Sequence, residues 1–202
     1  GVRSGSDIVL KAFGGSVNVQ GTLTAAGPVE IAATGGISTH AITSGLDITL
    51  GADSGNVAVV GDLNAVGRID VTAGGTGSIE MGSGSLFKAA SGDIYLSANN
   101  IGLGQLDAAR AVVVSASGAI TDNNTDATLV NAAGRSVTMT ALGSIGTSVQ
   151  SVDVLTKENT RLVATSRDGD AYLSSNSGIM HISQVSANGM AALNSAYSIL
   201  DE

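Results

Sequence analysis

A repeat at fixed spacing constrains this chain more than any other feature. At an offset of 40 residues, Asp7-Ile8-x-Leu10-x-Ala12 returns as Asp47-Ile48-x-Leu50-x-Ala52. Gly15-x-Val17-x-Val19-x-Gly21-x-Leu23-x-Ala25-x-Gly27 returns as Gly55-x-Val57-x-Val59-x-Gly61-x-Leu63-x-Ala65-x-Gly67. Ala33 answers to Ala73, so 12 of the 27 positions from 7 to 33 are identical to those 40 residues on. A match of this length implies a repeat architecture. Each unit also halves, because Ile8-x-Leu10-x-Ala12-x-Gly14-Gly15 resembles Val29-x-Ile31-x-Ala33-x-Gly35-Gly36 at an offset of 21. The basic period is therefore about 20 residues, one turn of a solenoid that buries its inner face only by stacking on its neighbours.

Within each unit the apolar residues take every second position, with Asn18, Gln20, Thr22, Thr24 and Glu30 between them. Period two means strands with one face inward and one toward water. Val17, Val19, Leu23, Val29, Ile31, Val57, Val59, Leu63, Ile69, Val71, Val112, Val114, Val137 and Met139 are expected to point inward. The expected fold is all-β, a parallel β-helix of about ten turns, roughly 45–50 Å long at about 4.8 Å per turn. It forms one domain over residues 1–202. Three stretches exceed the period and are expected to leave the coil as loops: 82–90, 121–127 and 153–170, the last holding the densest charge. Beyond them, an offset of 162 links Val17 to Ile179, Gly27 to Gly189 and Ile37 to Ile199, which predicts a last turn built like the first.

Composition supports the solenoid and removes other classes. Hydrophobic residues make up 43% but aromatics 2%, with 28 Gly and one Pro, as suits a narrow interior with sharp corners. A mean hydropathy of +0.31 argues against a disordered Gly-rich chain. No apolar run approaches the roughly 18 residues of a membrane helix. The net charge of −8, with nine scattered Lys and Arg, argues against a nucleic-acid partner, which needs clustered cations. The absence of cysteine excludes a disulfide framework or a thiolate metal site.

The strings Ser91-Gly92-Asp93-Ile94-Tyr95-Leu96 and Ser44-Gly45-Leu46-Asp47-Ile48-Thr49-Leu50 carry a family likeness. Together with the recurrent Val/Ile-x-Val/Ile-x-Ala-x-x-Gly-x-Ile pattern, they resemble the repeat shafts of filamentous haemagglutinin-like large exoproteins. These are the adhesins secreted by the two-partner route in Gram-negative bacteria. The resemblance covers nearly the whole chain, and autotransporter passengers share the pattern. It implies a right-handed parallel β-helix at the bacterial cell surface, secreted through an outer-membrane transporter and engaging a glycan or protein receptor. The family's amino-terminal secretion domain is not recognisable here. That and Gly1 as the first residue suit a fragment of something longer. Competing expectations are a β-helix polysaccharide lyase or hydrolase, and a receptor-binding section of a contact-dependent toxin-delivery exoprotein.

Candidate sites are few. Asp7, Asp47, Asp93 and Asp170 each precede an apolar strand start and could suggest a calcium ladder, but no Gly-Gly-x-Gly-x-Asp nonapeptide accompanies them. Corner residue is the favoured reading. Asn124-Thr125-Asp126 matches one motif of the polygalacturonases, whose remaining motifs have no counterpart, and glycoside hydrolysis needs two placed carboxyl groups. His40 and His181 lack metal spacing and are read as solvated loop residues. No catalytic, cofactor or metal residue is expected. The single candidate binding surface is Lys157, Arg161 and Arg167, set against an anionic ligand, with a solvated, internally paired loop as the competing reading.

Overall fold

A computed structural model describes residues 1–201, and the side chains of all of these except 158–160. Its described residues form a parallel β-solenoid of about nine turns with about 21 residues each, slightly fewer and longer turns than the sequence suggests. The strands pair in parallel with the turns before and after. They build three faces. The first carries the register Ile8↔Val29↔Ile48↔Ile69↔Ile94↔Val112↔Val137↔Leu162. The second carries Val17↔Ile37↔Val57↔Ile79↔Ile101↔Ile120↔Ile145↔Ala171↔Ala191. The third carries Val2↔Leu23↔Ile42↔Leu63↔Phe87↔Leu106↔Ala132↔Val154.

The 40-residue period now has a mechanical origin. On the first face Ile8 to Val29 is 21 residues and Val29 to Ile48 is 19, so only every second turn repeats in full. One continuous core runs from Ile8 to Ile182. Large Ile, Val and Leu side chains fill its middle. Ala12, Ala33, Ala52, Ala73, Ala98, Ala116 and Ala141 occupy the ends of the first-face strands, all buried except half-buried Ala12. Twelve of the fourteen residues expected inside are buried, whereas Val17 and Val19 are half-buried and pack against the core from the first turn. Thr39 is also fully buried, and its hydroxyl has no hydrogen-bond partner among the described residues.

The corner aspartates have a structural task. Asp47 Oδ1 accepts the Arg68 amide at 2.6 Å, Asp93 Oδ1 the Ala111 amide at 2.9 Å, and Asp170 Oδ1 the Met190 amide at 2.7 Å. In each case a side chain of one turn binds the backbone of the next, where the ladder is interrupted by the bend. Asp7 has no such bond because its counterpart position is Pro28, which lacks an N–H. Glycine opposite leaves room for this bond: a Cβ on Gly67 would lie 2.1 Å from Asp47 Oδ1, and one on Gly189 2.1 Å from Asp170 Oδ1, so the carboxylate would have to move.

Four sequence expectations are corrected here. Residues 82–90 do not all leave the coil: 82–85 form a turn, but Leu86–Ala89 is a third-face strand paired with Leu63–Ala65. The second excursion begins later than 121 and ends beyond 127, since Ile120–Asp122 is a strand and irregular chain runs from 123 to 131. Residues 153–170 are mostly strand. Val152–Ser166 pairs with Ala132–Ala141 on both sides of a register shift, Ala132↔Val154 and Ser136↔Arg161, with Lys157 half-buried and Arg161 exposed. The surplus that shifts the register falls around 157–160, where side chains 158–160 lie outside the described residues. Finally, the offset of 162 misphases the last turn. Asp170-Ala171 opens a second-face strand, not a first-face one, and Ile199 pairs with Met180 and is exposed. The Asp corner serves more than one face, so its reappearance did not mark a face.

Candidate functional site

The departures from regularity cluster at one corner. From the second to the third face, Val17 to Leu23 and Val57 to Leu63 each take six positions, and Ile37 to Ile42 and Ile101 to Leu106 each take five. Ile79 to Phe87 takes eight, Ile120 to Ala132 twelve and Ile145 to Val154 nine. Because the turns are stacked, these surplus residues come together in space as a ridge on the side of the rod.

The ridge is held by buried polar groups. Asn131, 0% exposed, donates from Nδ2 to Gly104 O at 3.1 Å and to Asp122 Oδ1, while its Oδ1 accepts the Asp153 amide at 2.8 Å. Asn124, also buried, accepts the Gly84 amide at 3.0 Å and donates to Gly104 O at 3.1 Å. Gly84 takes φ +74°, a left-handed conformation that brings its amide to Asn124. The Ser83 hydroxyl meets Thr125 Oγ1 at 3.1 Å, so the loop at 82–85 and the loop at 123–131 are joined across an intervening turn. Gln150 Nε2 donates to Asn124 O at 2.8 Å and Asp122 Oδ2 at 3.3 Å, and Asn176 Nδ2 donates to Ala127 O at 3.2 Å and to Asp153.

Between these loops lies an open cleft of about 360 Å³. Asp122 and Asp153 both line it, with Gln150, Ser151, Ser174 and Asn176. Ser151 Oγ donates to Ser174 Oγ at 2.8 Å. Asp153 is 3% exposed. Its burial pushes the carboxyl above its ordinary value of 3.8, and the charge of Asp122 adds to that, against the opposing hydrogen bonds from Asn176 and Ser174. A raised folded-state value means that Asp153 contributes most stability below about pH 3.8 and loses that contribution as pH rises. The stability advantage of Asp153→Asn over the natural chain should therefore shrink on acidification from about pH 7 to about pH 4. Denaturant midpoints of both proteins across that range measure it, and an advantage that grows on acidification contradicts the assignment.

The residues singled out from sequence lie elsewhere. Lys157 binds Asp107, a carboxylate it shares with Lys88 Nζ at 3.8 Å. Arg161 lies in the strand Val152–Ser166, Arg167 stands six positions on at the bend just past its end, and Lys157 and Arg167 line separate recesses. The structure does not bring the three cations together. Asp126 is exposed and caps Thr128 at 2.9 Å and 2.7 Å; those hydrogen bonds hold its carboxyl below the ordinary value. It does not line the cleft. His40 is exposed at a corner, with Nδ1 3.3 Å from Val19 O. His181 lies in the strand Met180–Ala187, half-buried, not in a loop. Among the described residues no group of three or more His, Asp or Glu is placed to hold a metal ion, and no helix is long and apolar enough to cross a membrane.

The fold and cleft define a parallel β-solenoid with a lateral polar recess built from surplus corner residues. Comparison with protein-family models, curated proteins and solved structures finds no match.

Proposed function

We propose that this chain is a structural and adhesive module of a secreted bacterial surface exoprotein: a stiff rod that holds a receptor-contacting recess at its side. The observation that carries this reading is the concentration of surplus residues at one corner in nearby turns. In repeat proteins, insertions that map to one face commonly build the binding face. The stacked core gives the stiffness such a spacer needs, and an export route through an outer-membrane transporter is compatible with a chain free of cysteine. The receptor is a glycan or protein at a host or other surface.

Beads coated with the chain should attach to cell or matrix surfaces. Replacing the exposed tip 125–128 by Gly-Ser-Gly-Ser should lower attachment at least about ten-fold, or about 1.4 kcal/mol. Attachment that ignores this replacement, or no attachment at all, rejects the reading. A second reading, a glycan hydrolase, is favoured by one observation: two carboxylates share the cleft, and burial pushes the carboxyl of Asp153 above its ordinary value. Release of new reducing ends from polysaccharides by the natural chain, lost in Asp122→Asn, would select it.

A further inference from the structure

The lining of the cleft discriminates among ligand chemistries. Among the described residues no Lys or Arg lines it, and its only ionisable groups are Asp122 and Asp153. The chain as a whole carries a net charge of −8. An anion entering this recess would meet like charge where water screening is reduced. The two carboxylates are held by neutral donors: Asp122 by the Asn124 amide at 2.8 Å, Asn131 and Gln150, and Asp153 by Asn176. A carboxylate offers about four acceptor directions, so each keeps capacity for a ligand donor.

The remaining lining complements this. Gln150 and Asn194 present amides, and Val149, 94% exposed, stands with Leu129 as an apolar shelf at the rim. Acceptors, amide donors and a small apolar shelf without a cation match a ring that is rich in hydroxyls and uncharged. Its hydroxyls donate to the carboxylates and accept from the amides, while its C–H face rests on the shelf. A volume of about 360 Å³ is at the small end of ligand pockets, which fits a short segment of a chain.

We infer that the cleft binds an uncharged glycan segment, with Asp122 and Asp153 accepting hydrogen bonds from its hydroxyls and Asn194 donating to it. This rests on the reading of the ridge as the receptor-contacting face.

The test is a calorimetric and NMR titration of the natural chain with hexasaccharides of glucose, mannose and N-acetylglucosamine, against a galacturonate hexamer and a heparin hexasaccharide. At least one neutral oligosaccharide should bind, and the anionic ones should not. Asp122→Asn should weaken that binding at least about ten-fold. Asn194→Trp, which blocks the mouth from an exposed strand position, should abolish it while leaving the unfolding midpoint in place. That second variant keeps the test valid if the first disturbs the ridge. Binding of anionic oligosaccharides alone, or neutral binding that survives Asn194→Trp, overturns the inference. If no neutral oligosaccharide binds while bead attachment still depends on 125–128, the ligand class is wrong and the receptor-face reading stands. If both fail, both fall.

Discussion

Excising residues 28–67 should leave a folded rod shorter by about 10 Å, two turns at about 4.8 Å each. The excision joins Gly27 to Arg68. It presents the first turn to the strand Ile69–Ala73, which in the intact chain pairs with Ile48–Ala52. The replacement is nearly residue for residue: Ile8, Leu10, Ala12, Val17, Val19, Leu23 and Ala25 stand where Ile48, Leu50, Ala52, Val57, Val59, Leu63 and Ala65 stood. Asp7 even restores the corner acceptor that Asp47 supplied to the Arg68 amide. A nearest-neighbour solenoid loses two turns and re-forms one equivalent interface.

Removing only 28–38 should instead abolish the cooperative transition. It deletes the strand Val29–Ala33, strips Ile8–Ala12 of its partner and Ile48–Ala52 of one of its two, and leads the third face directly into Thr39 of the second. Apolar positions then fall on the wrong face. Circular dichroism, small-angle scattering and thermal unfolding of the two deletants decide the matter. A tolerated 11-residue deletion beside an unfolded 40-residue one contradicts the stacking described above.

Asn131→Asp should destabilise the chain by on the order of 3–5 kcal/mol at neutral pH. The substitution changes one atom type, yet every consequence is unfavourable. Nδ2 of Asn131 serves Gly104 O and Asp122 Oδ1 in a fully buried position, and a carboxylate there confronts both with another acceptor. It also puts a third negative charge beside Asp122 and Asp153. The Asp153 amide keeps an acceptor, so the damage is confined to the lost donor and the new charge. Hydrogen exchange should accelerate across 123–131 before the first-face strands respond, and the deficit should shrink as pH falls and the new carboxyl is protonated. Equal acceleration along the whole rod would mean that the ridge and the coil unfold as one unit.

The fold was readable in the residues because alternation and period reinforce each other wherever the turns are regular. Ile69, Val71, Val112 and Val114 could only be inward, and they are buried. Val17 and Val19 follow the same pattern, yet they are only half-buried, a difference that the pattern cannot express. The charged stretch after 153 was misplaced because outward strand positions accept charge as readily as loops do. On either side of the register shift, Lys157 follows inward Thr156 and Arg161 precedes inward Leu162.

The cleft was legible only in its location. The polar run Thr121–Asp126 marked the loop, but Asp153 carried no signal. It sits between Val152 and Val154 at a position that the two-residue period assigns to solvent, and it is buried by a neighbouring loop instead. Asn131 likewise is one polar residue among many Asn, with three of its four side-chain hydrogen bonds made to chain segments 22 to 28 residues away and the fourth to Asp122. A local pattern cannot report such a cover. Buried Asn beside a surplus of residues is the trace that a reader of the sequence could have followed.

The variable corner has a practical meaning for protein engineering. Between the second and third faces the chain accommodates anything from five to twelve positions, while the register on either side stays intact. The passage between Val59 and Leu63 is among the short ones, so it offers a port for grafting a foreign epitope. A graft there would emerge about one turn from the strand Ile79–Met81 and its natural 82–85 loop. Grafts in successive turns would stand about 4.8 Å apart. The rod then becomes a ruler on which recognition loops can be spaced at will.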